Sequence, residues 1–143
     1  MDRQDVRFLR DMLRHAYHWR LADPELPVYR YVQNWGRRGD AGVVAFEGMN
    51  VYGAAWYRLF SEDEPGFGFV DEETPELTIA VVPGHRGRGS GAELLDALLE
   101  RARGDGFRRI SLSAQPGQTG FYEAHGFRPV GEHDGAVTMV ADL

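Results

Sequence analysis

Apolar residues recur at Val6, Leu9, Leu13 and Ala16 or Tyr17, a spacing that predicts an amphipathic helix over residues 5–19. Pro24 and Pro27 break that pattern, and residues 28–35 read as a short second helix. Two strand-like runs follow, at 42–47 and 51–60, joined by the turn signal Gly48-Met49-Asn50. An acidic, glycine-containing loop at 61–74 leads into a strand at 76–82. Leu94, Leu95, Leu98, Leu99 and Ala102 then mark the buried face of a helix over 90–103, which Gly104-Asp105-Gly106 ends. A strand at 109–114 precedes a short helix at 118–125, with Gly126 as its left-handed terminal residue. Residues 127–133 and 136–141 close the chain as a hairpin about Asp134-Gly135. The order ααββ, βαβ, αββ predicts a mixed sheet with helices packed against it, in one domain spanning 1–143 without repeat or linker.

Composition narrows the function. A hydrophobic content of 43% with 12% aromatics is that of a globular protein with a real core. No apolar run approaches the roughly 20 residues a membrane helix needs, and the N-terminus lacks a signal-peptide segment, so no membrane partner is expected. The absence of cysteine excludes disulfides, thiolate metal ligands and a cysteine nucleophile, and fits a cytoplasmic protein. A net charge of −6 argues against nucleic acid as a partner. All 16 basic residues are arginine, which rules out a lysine Schiff base and a Walker A lysine. The histidines show no repeated ligand spacing, so no metal is expected.

The stretch richest in chemistry is Val81-Val82-Pro83-Gly84-His85-Arg86-Gly87-Arg88-Gly89-Ser90-Gly91. A strand runs into a glycine-rich turn that opens a helix, and alternate glycines leave backbone N–H groups uncovered where the helix dipole favours an anion. The turn reads as a pyrophosphate cradle. Gly87-x-Gly89-x-x-Ala92 also satisfies the dinucleotide fingerprint. Against that reading, the motif lies late in the element order, and the strand ending at Ala114 lacks the acidic residue a ribose needs. Glycines serving only a tight turn are the plain alternative.

Pro83-x-x-Arg86-Gly87-x-Gly89-x-Gly91 resembles the Arg/Gln-x-x-Gly-x-Gly/Ala signature of the GCN5-related N-acetyltransferases. About forty residues on, Gly120-Phe121-Tyr122-Glu123-Ala124-His125-Gly126-Phe127 resembles that family's second signature. The two stand in order, with strand, helix and strand between them. The resemblance implies an α+β fold: a mixed, mostly antiparallel sheet with a central βαβ crossover and helices on both faces, as in acyl-CoA N-acyltransferases. It implies acetyl-CoA as acyl donor, with pantetheine in a wedge between two splayed strands. Val81 and Val82 would offer backbone groups to it, and the N–H groups of Gly87, Gly89, Ser90, Gly91 and Ala92 would hold the pyrophosphate. Arg86 and Arg88 would add contacts to phosphate, solvated surface being their alternative. Gln115 falls where many relatives have a cofactor-contacting asparagine.

The same resemblance makes Tyr122 the acid that protonates the departing thiolate, its alternative being a core aromatic with a tied hydroxyl. Glu76 is the first candidate for the base that deprotonates the acceptor, although a one-residue offset along a strand changes face. His15, His18 and Tyr57 are weaker candidates. Val81 or a neighbour would supply the N–H for the developing oxyanion. On this resemblance the acceptor would be a small-molecule amine or a protein N-terminus or lysine. Glu62-Asp63-Glu64 and Asp71-Glu72-Glu73 either draw in a cationic amine or form a solvated loop. Tyr17, Trp19, Tyr29, Tyr31 and Trp35 either line its pocket or fill the core. One departure stands out: the family opens with a strand ahead of the first helix, whereas here the helix begins near Met1. The sheet edge so left predicts a homodimer. The competing functions are a non-catalytic acyl-CoA-binding domain and a nicotinamide-binding enzyme.

Overall fold

The computed structural model describes residues 8, 9, 12, 28–48, 50–82, 89–133 and 135–143. Among the described residues six strands form one sheet: β1 (Ala41–Glu47), β2 (Asn50–Arg58), β3 (Glu76–Val81), β4 (Arg109–Ala114), β5 (Arg128–His133) and β6 (Ala136–Asp142). Their order across the sheet is β1-β2-β3-β4-β6-β5, and the β3–β4 pair alone is parallel. A parallel pair needs a crossover. Helix α1 (Ser90–Gly104) supplies it, and the short α2 (Thr119–Glu123) follows β4. The fold class is therefore the mixed, mostly antiparallel α+β sheet with a central βαβ crossover. Strand alternation explains its two faces. Ala55, Tyr57, Leu77, Ile110, Leu112 and Met139 share one face with Leu94, Leu95, Leu98 and Leu99 of α1. Ala54, Trp56 and Ala80 share the other with Leu9, Met12, Tyr31 and Val32. We call these the α1 face and the Tyr31 face.

Most predicted elements recur within a residue or two. Of the predicted first helix, Phe8, Leu9 and Met12 are helical, and the remainder lies outside the described residues, as do Met49 and Asp134 in the two hairpin turns. The second helix is corrected to a single 3-10 turn, Val28–Tyr31. Arg58, on β2 and fully buried, donates to the carbonyls of Arg30 (2.9 Å) and Gln33, occupying acceptors that a longer helix would need. Its guanidinium also pairs with Asp40 at 2.7 Å. Asp40 in turn accepts from the N–H groups of Gly36 and Arg37, while Asn34 and Gly36 adopt left-handed backbone. A helix at 28–35 gives way to a turn locked onto β2 by one buried arginine. The helix predicted at 118–125 is likewise divided, into a 3-10 turn (Pro116–Gln118) and α2, and Gly126 ends it at φ 92.

Candidate active site

β3 and β4 share a single residue pair, Glu76↔Ser111, with the Ser111 N–H donating to the Pro75 carbonyl at 2.9 Å. Beyond it each strand follows its own antiparallel partner. β3 stays with β2 as far as Val81↔Gly53, and β4 stays with β6 as far as Ala114↔Val137. The sheet opens there as a fork. The Val82 N–H donates to Tyr52 O at 2.8 Å, which makes Val81↔Gly53 a non-hydrogen-bonded pair. The main-chain groups of Val81, and two residues earlier those of Ile79, therefore face the fork. Val82 departs from expectation: its N–H is committed to β2. Sequence reading missed Ile79, which only the pairing pattern identifies.

The N-terminus of α1 stands beyond the end of β3. Gly89 precedes it at φ 80 and ψ 0, and among the described residues no side chain caps the first turn. A Cβ on Gly89 would meet nothing within 4 Å, so it is the left-handed backbone that requires glycine. Ser90 is buried, Gly91 and Ala92 are half-buried, and the first-turn N–H groups have no intrahelical partner. Arg86, Gly87 and Arg88 lie outside the described residues. Phe121 of α2 approaches this turn, its Cζ 3.7 Å from a Cβ built on Gly91. That contact sets α2, which carries Tyr122, beside the first turn of α1.

The Tyr122 ring packs edge-on against Phe121 and Phe127. Burial pushes its phenol up to about 12, with no hydrogen bond or charge contributing. The tied hydroxyl of a purely structural tyrosine is thus missing among the described residues. Gln115 sits half-buried at the end of β4, its carbonyl accepting from Gln118 N–H at 2.8 Å, which turns the chain from β4 toward α2.

Glu76 is buried on the Tyr31 face, opposite α1, at the closed end of the fork. Its carboxylate accepts from the Tyr31 hydroxyl and from Gly68 N–H, the latter at 3.0 Å. The Tyr31 hydroxyl accepts from Phe67 N–H at 2.8 Å. Together they bind the segment Gly66-Phe67-Gly68-Phe69 down onto the sheet. Tyr31 stood in the sequence only as one aromatic among several. Its link to Glu76 spans 45 positions and has no local signature.

Other candidates lie apart. Tyr57 is on the α1 face and donates to the Asp105 carboxylate beyond the end of α1, and burial followed by this bond raises its pKa. The acidic clusters do not form a mouth to the fork. Glu72 and Glu73 line a cavity of about 530 Å³ with Asp105 and Phe107, where β4 begins rather than where the fork opens. Asp71 pairs with Arg109 in the same region. Trp35 lies under the Arg58 guanidinium, 5.4 Å from it. His15, His18, Tyr17, Trp19 and the Tyr29 side chain fall outside the described residues. Among the described residues no cluster of three or more metal-ligating side chains occurs, and no helix is long and apolar enough to cross a membrane.

Solved structures repeat this architecture. ElaA of Escherichia coli superposes with a TM-score of 0.72 at 19% identity, covering 99% of this chain and 92% of its own. A ribosomal-protein-alanine N-acetyltransferase from Brucella melitensis gives 0.73 at 23%, covering 100% and 97%. YncA from Salmonella typhimurium, a putative acetyltransferase solved with acetyl-CoA, gives 0.72 at 20%, covering 100% and 91%. No curated protein sequence matches the chain. At these identities the structures establish the fold, and the sequence carries the assignment further. The model of the acetyltransferase (GNAT) family matches residues 6–127, a span holding the glycine turn, the fork and the Tyr122 helix, and the chain belongs to that family.

Proposed function

We propose that this protein is a single-domain, cytoplasmic N-acetyltransferase. It would transfer acetyl from acetyl-CoA to a primary amine by direct attack in a ternary complex. The observation that carries the reading is the parting of β3 from β4 after one pair, with the N-terminus of α1, preceded by left-handed Gly89, at the open end. The residues present fit an acyl-CoA: β3 main chain facing the fork at Ile79 for pantetheine, first-turn N–H groups of α1 for a pyrophosphate, and a Tyr122 phenol with no hydrogen-bond partner among the described residues. Arg86, Gly87 and Arg88 join the proposal through the sequence alone, as does Gln115 as an amide contact. The bound cosubstrate supplies an activated thioester.

In the transfer the amine nitrogen bonds to the carbonyl carbon, the carbon–sulfur bond breaks, and the thiolate leaves. An N–H of β3 facing the fork stabilises the oxyanion. Tyr122 gives its proton to the sulfur. Glu76 takes the amine's proton, relayed by water. A small-molecule amine and a protein N-terminus or lysine both fit this chemistry. The named substrate of the Brucella relative supports the second class.

The test is thiol release from acetyl-CoA across an amine panel, with Tyr122→Phe as the variant. Loss of about 10²-fold or more in kcat with unchanged coenzyme A affinity is expected. Coenzyme A binding without thiol release from any amine would instead support a non-catalytic acyl-CoA-binding domain. We propose in addition a homodimer formed along β1, an edge strand among the described residues with Phe46 60% exposed. Sedimentation at micromolar concentration would detect it, and a monomer throughout would refute it.

A further inference from the structure

The two faces of the fork are not equivalent. The α1 face is filled by α1 and flanked by α2, so on the reading above the cosubstrate approaches from there. The amine must then arrive from the Tyr31 face. Across that face lies the Gly66–Phe69 strap. A Cβ built on Gly68 would come 2.5–2.8 Å from the carbonyl of Leu112 and the nitrogen of Ser113. The strap therefore crosses β4 at backbone contact, just past Glu76↔Ser111, where the fork begins to open. Alternation along β4 places Ile110, Leu112 and Ala114 toward α1, so Ser111 and Ser113 point to the strap side. Both hydroxyl oxygens are buried, and neither has a hydrogen-bond partner among the described residues. A buried hydroxyl without a partner is unfavourable unless something else satisfies it. Ser111 lies at the closed end of the fork, whereas Ser113 lies beyond the last strand pair and is half-buried as a residue.

We propose that the Gly66–Phe69 strap, held by Tyr31 and Glu76, is the acceptor-side wall of the fork, and that Ser113 Oγ accepts a hydrogen bond from the N–H of the attacking amine. The inference rests on the acetyltransferase reading.

The probe is S-(N-butylcarbamoylmethyl)-coenzyme A, whose amide nitrogen stands in for the amine and whose butyl group stands in for the acceptor chain. Calorimetry would compare it with coenzyme A on the wild type and on Ser113→Ala. The expected result is unchanged affinity for coenzyme A and about tenfold weaker binding of the conjugate by the variant. The variant's melting temperature should not fall, because the lost hydroxyl has no partner among the described residues. Equal conjugate affinity in both proteins would overturn the assignment, as would a parallel loss of coenzyme A affinity or a lowered melting temperature. If the wild type binds coenzyme A but not the conjugate, the strap is not the acceptor wall. If it binds neither, the acetyltransferase reading itself has failed.

Discussion

Tyr122 shows how one residue's surroundings set its chemistry. A phenol with a pKa near 10 in water is pushed up to about 12 here because burial penalises the phenolate. The protonated form is the donor, so raising the pKa moves the loss of donor to higher pH. The alkaline limb of kcat/KM should therefore show no Tyr122 ionisation below about pH 11, and a bend near pH 10 removed by Tyr122→Phe would contradict this. Two glycines illustrate different demands at the same scale. Gly89 is required by a left-handed backbone with open space around it, Gly68 by contact with β4. Gly89 was legible because it belongs to a spaced motif. Gly68 was not, because the residues it presses against lie more than forty positions away and leave no local pattern. Ser113 escaped for the same reason: that a hydroxyl has no partner is a fact about neighbours, not about sequence.

Among the elements, those carrying a clean period were read correctly from sequence. The leucines of α1 and the strand β4 fall where the pattern places them, because apolar periodicity directly records which face is buried. The segment at 28–40 did not follow its local pattern. There a distant residue decides the conformation: Arg58 draws the Arg30 carbonyl of the 3-10 turn and the Gln33 carbonyl just beyond it, and pairs with Asp40. Removing one partner of a buried ion pair strands the other charge, a loss of about 3–5 kcal/mol. Asp40→Ala should lower urea-unfolding stability by that amount, since it also deprives the Gly36 and Arg37 N–H groups of their acceptor. A loss below about 1 kcal/mol would mean that the pair is replaced by water and that the turn is held otherwise. Because the Tyr31 hydroxyl is carried by the last residue of that 3-10 turn, the ion pair also fixes the post to which the strap is tied.

At the scale of the molecule, the sheet is two antiparallel blocks, β1-β2-β3 and β4-β6-β5, sharing one parallel pair. Each block satisfies its own hydrogen bonds, so the seam between them can open without unpairing either one. The fork and the N-terminal end of α1 lie at that seam, and Phe121, next to Tyr122, packs against the first turn of α1, whereas Asp71, Glu72 and Glu73 lie toward its opposite end. The two signatures in the sequence pointed to the seam, but the side from which an acceptor must come depends on which face α1 covers, and that is decided by packing. Titration calorimetry of the folded protein with coenzyme A, using NAD as the matched dinucleotide control, tests the seam as an acyl-CoA site most directly. The account predicts saturable binding of coenzyme A in the range of about 1–100 μM and no heat from NAD. Absence of coenzyme A binding, or equal binding of NAD, would contradict it.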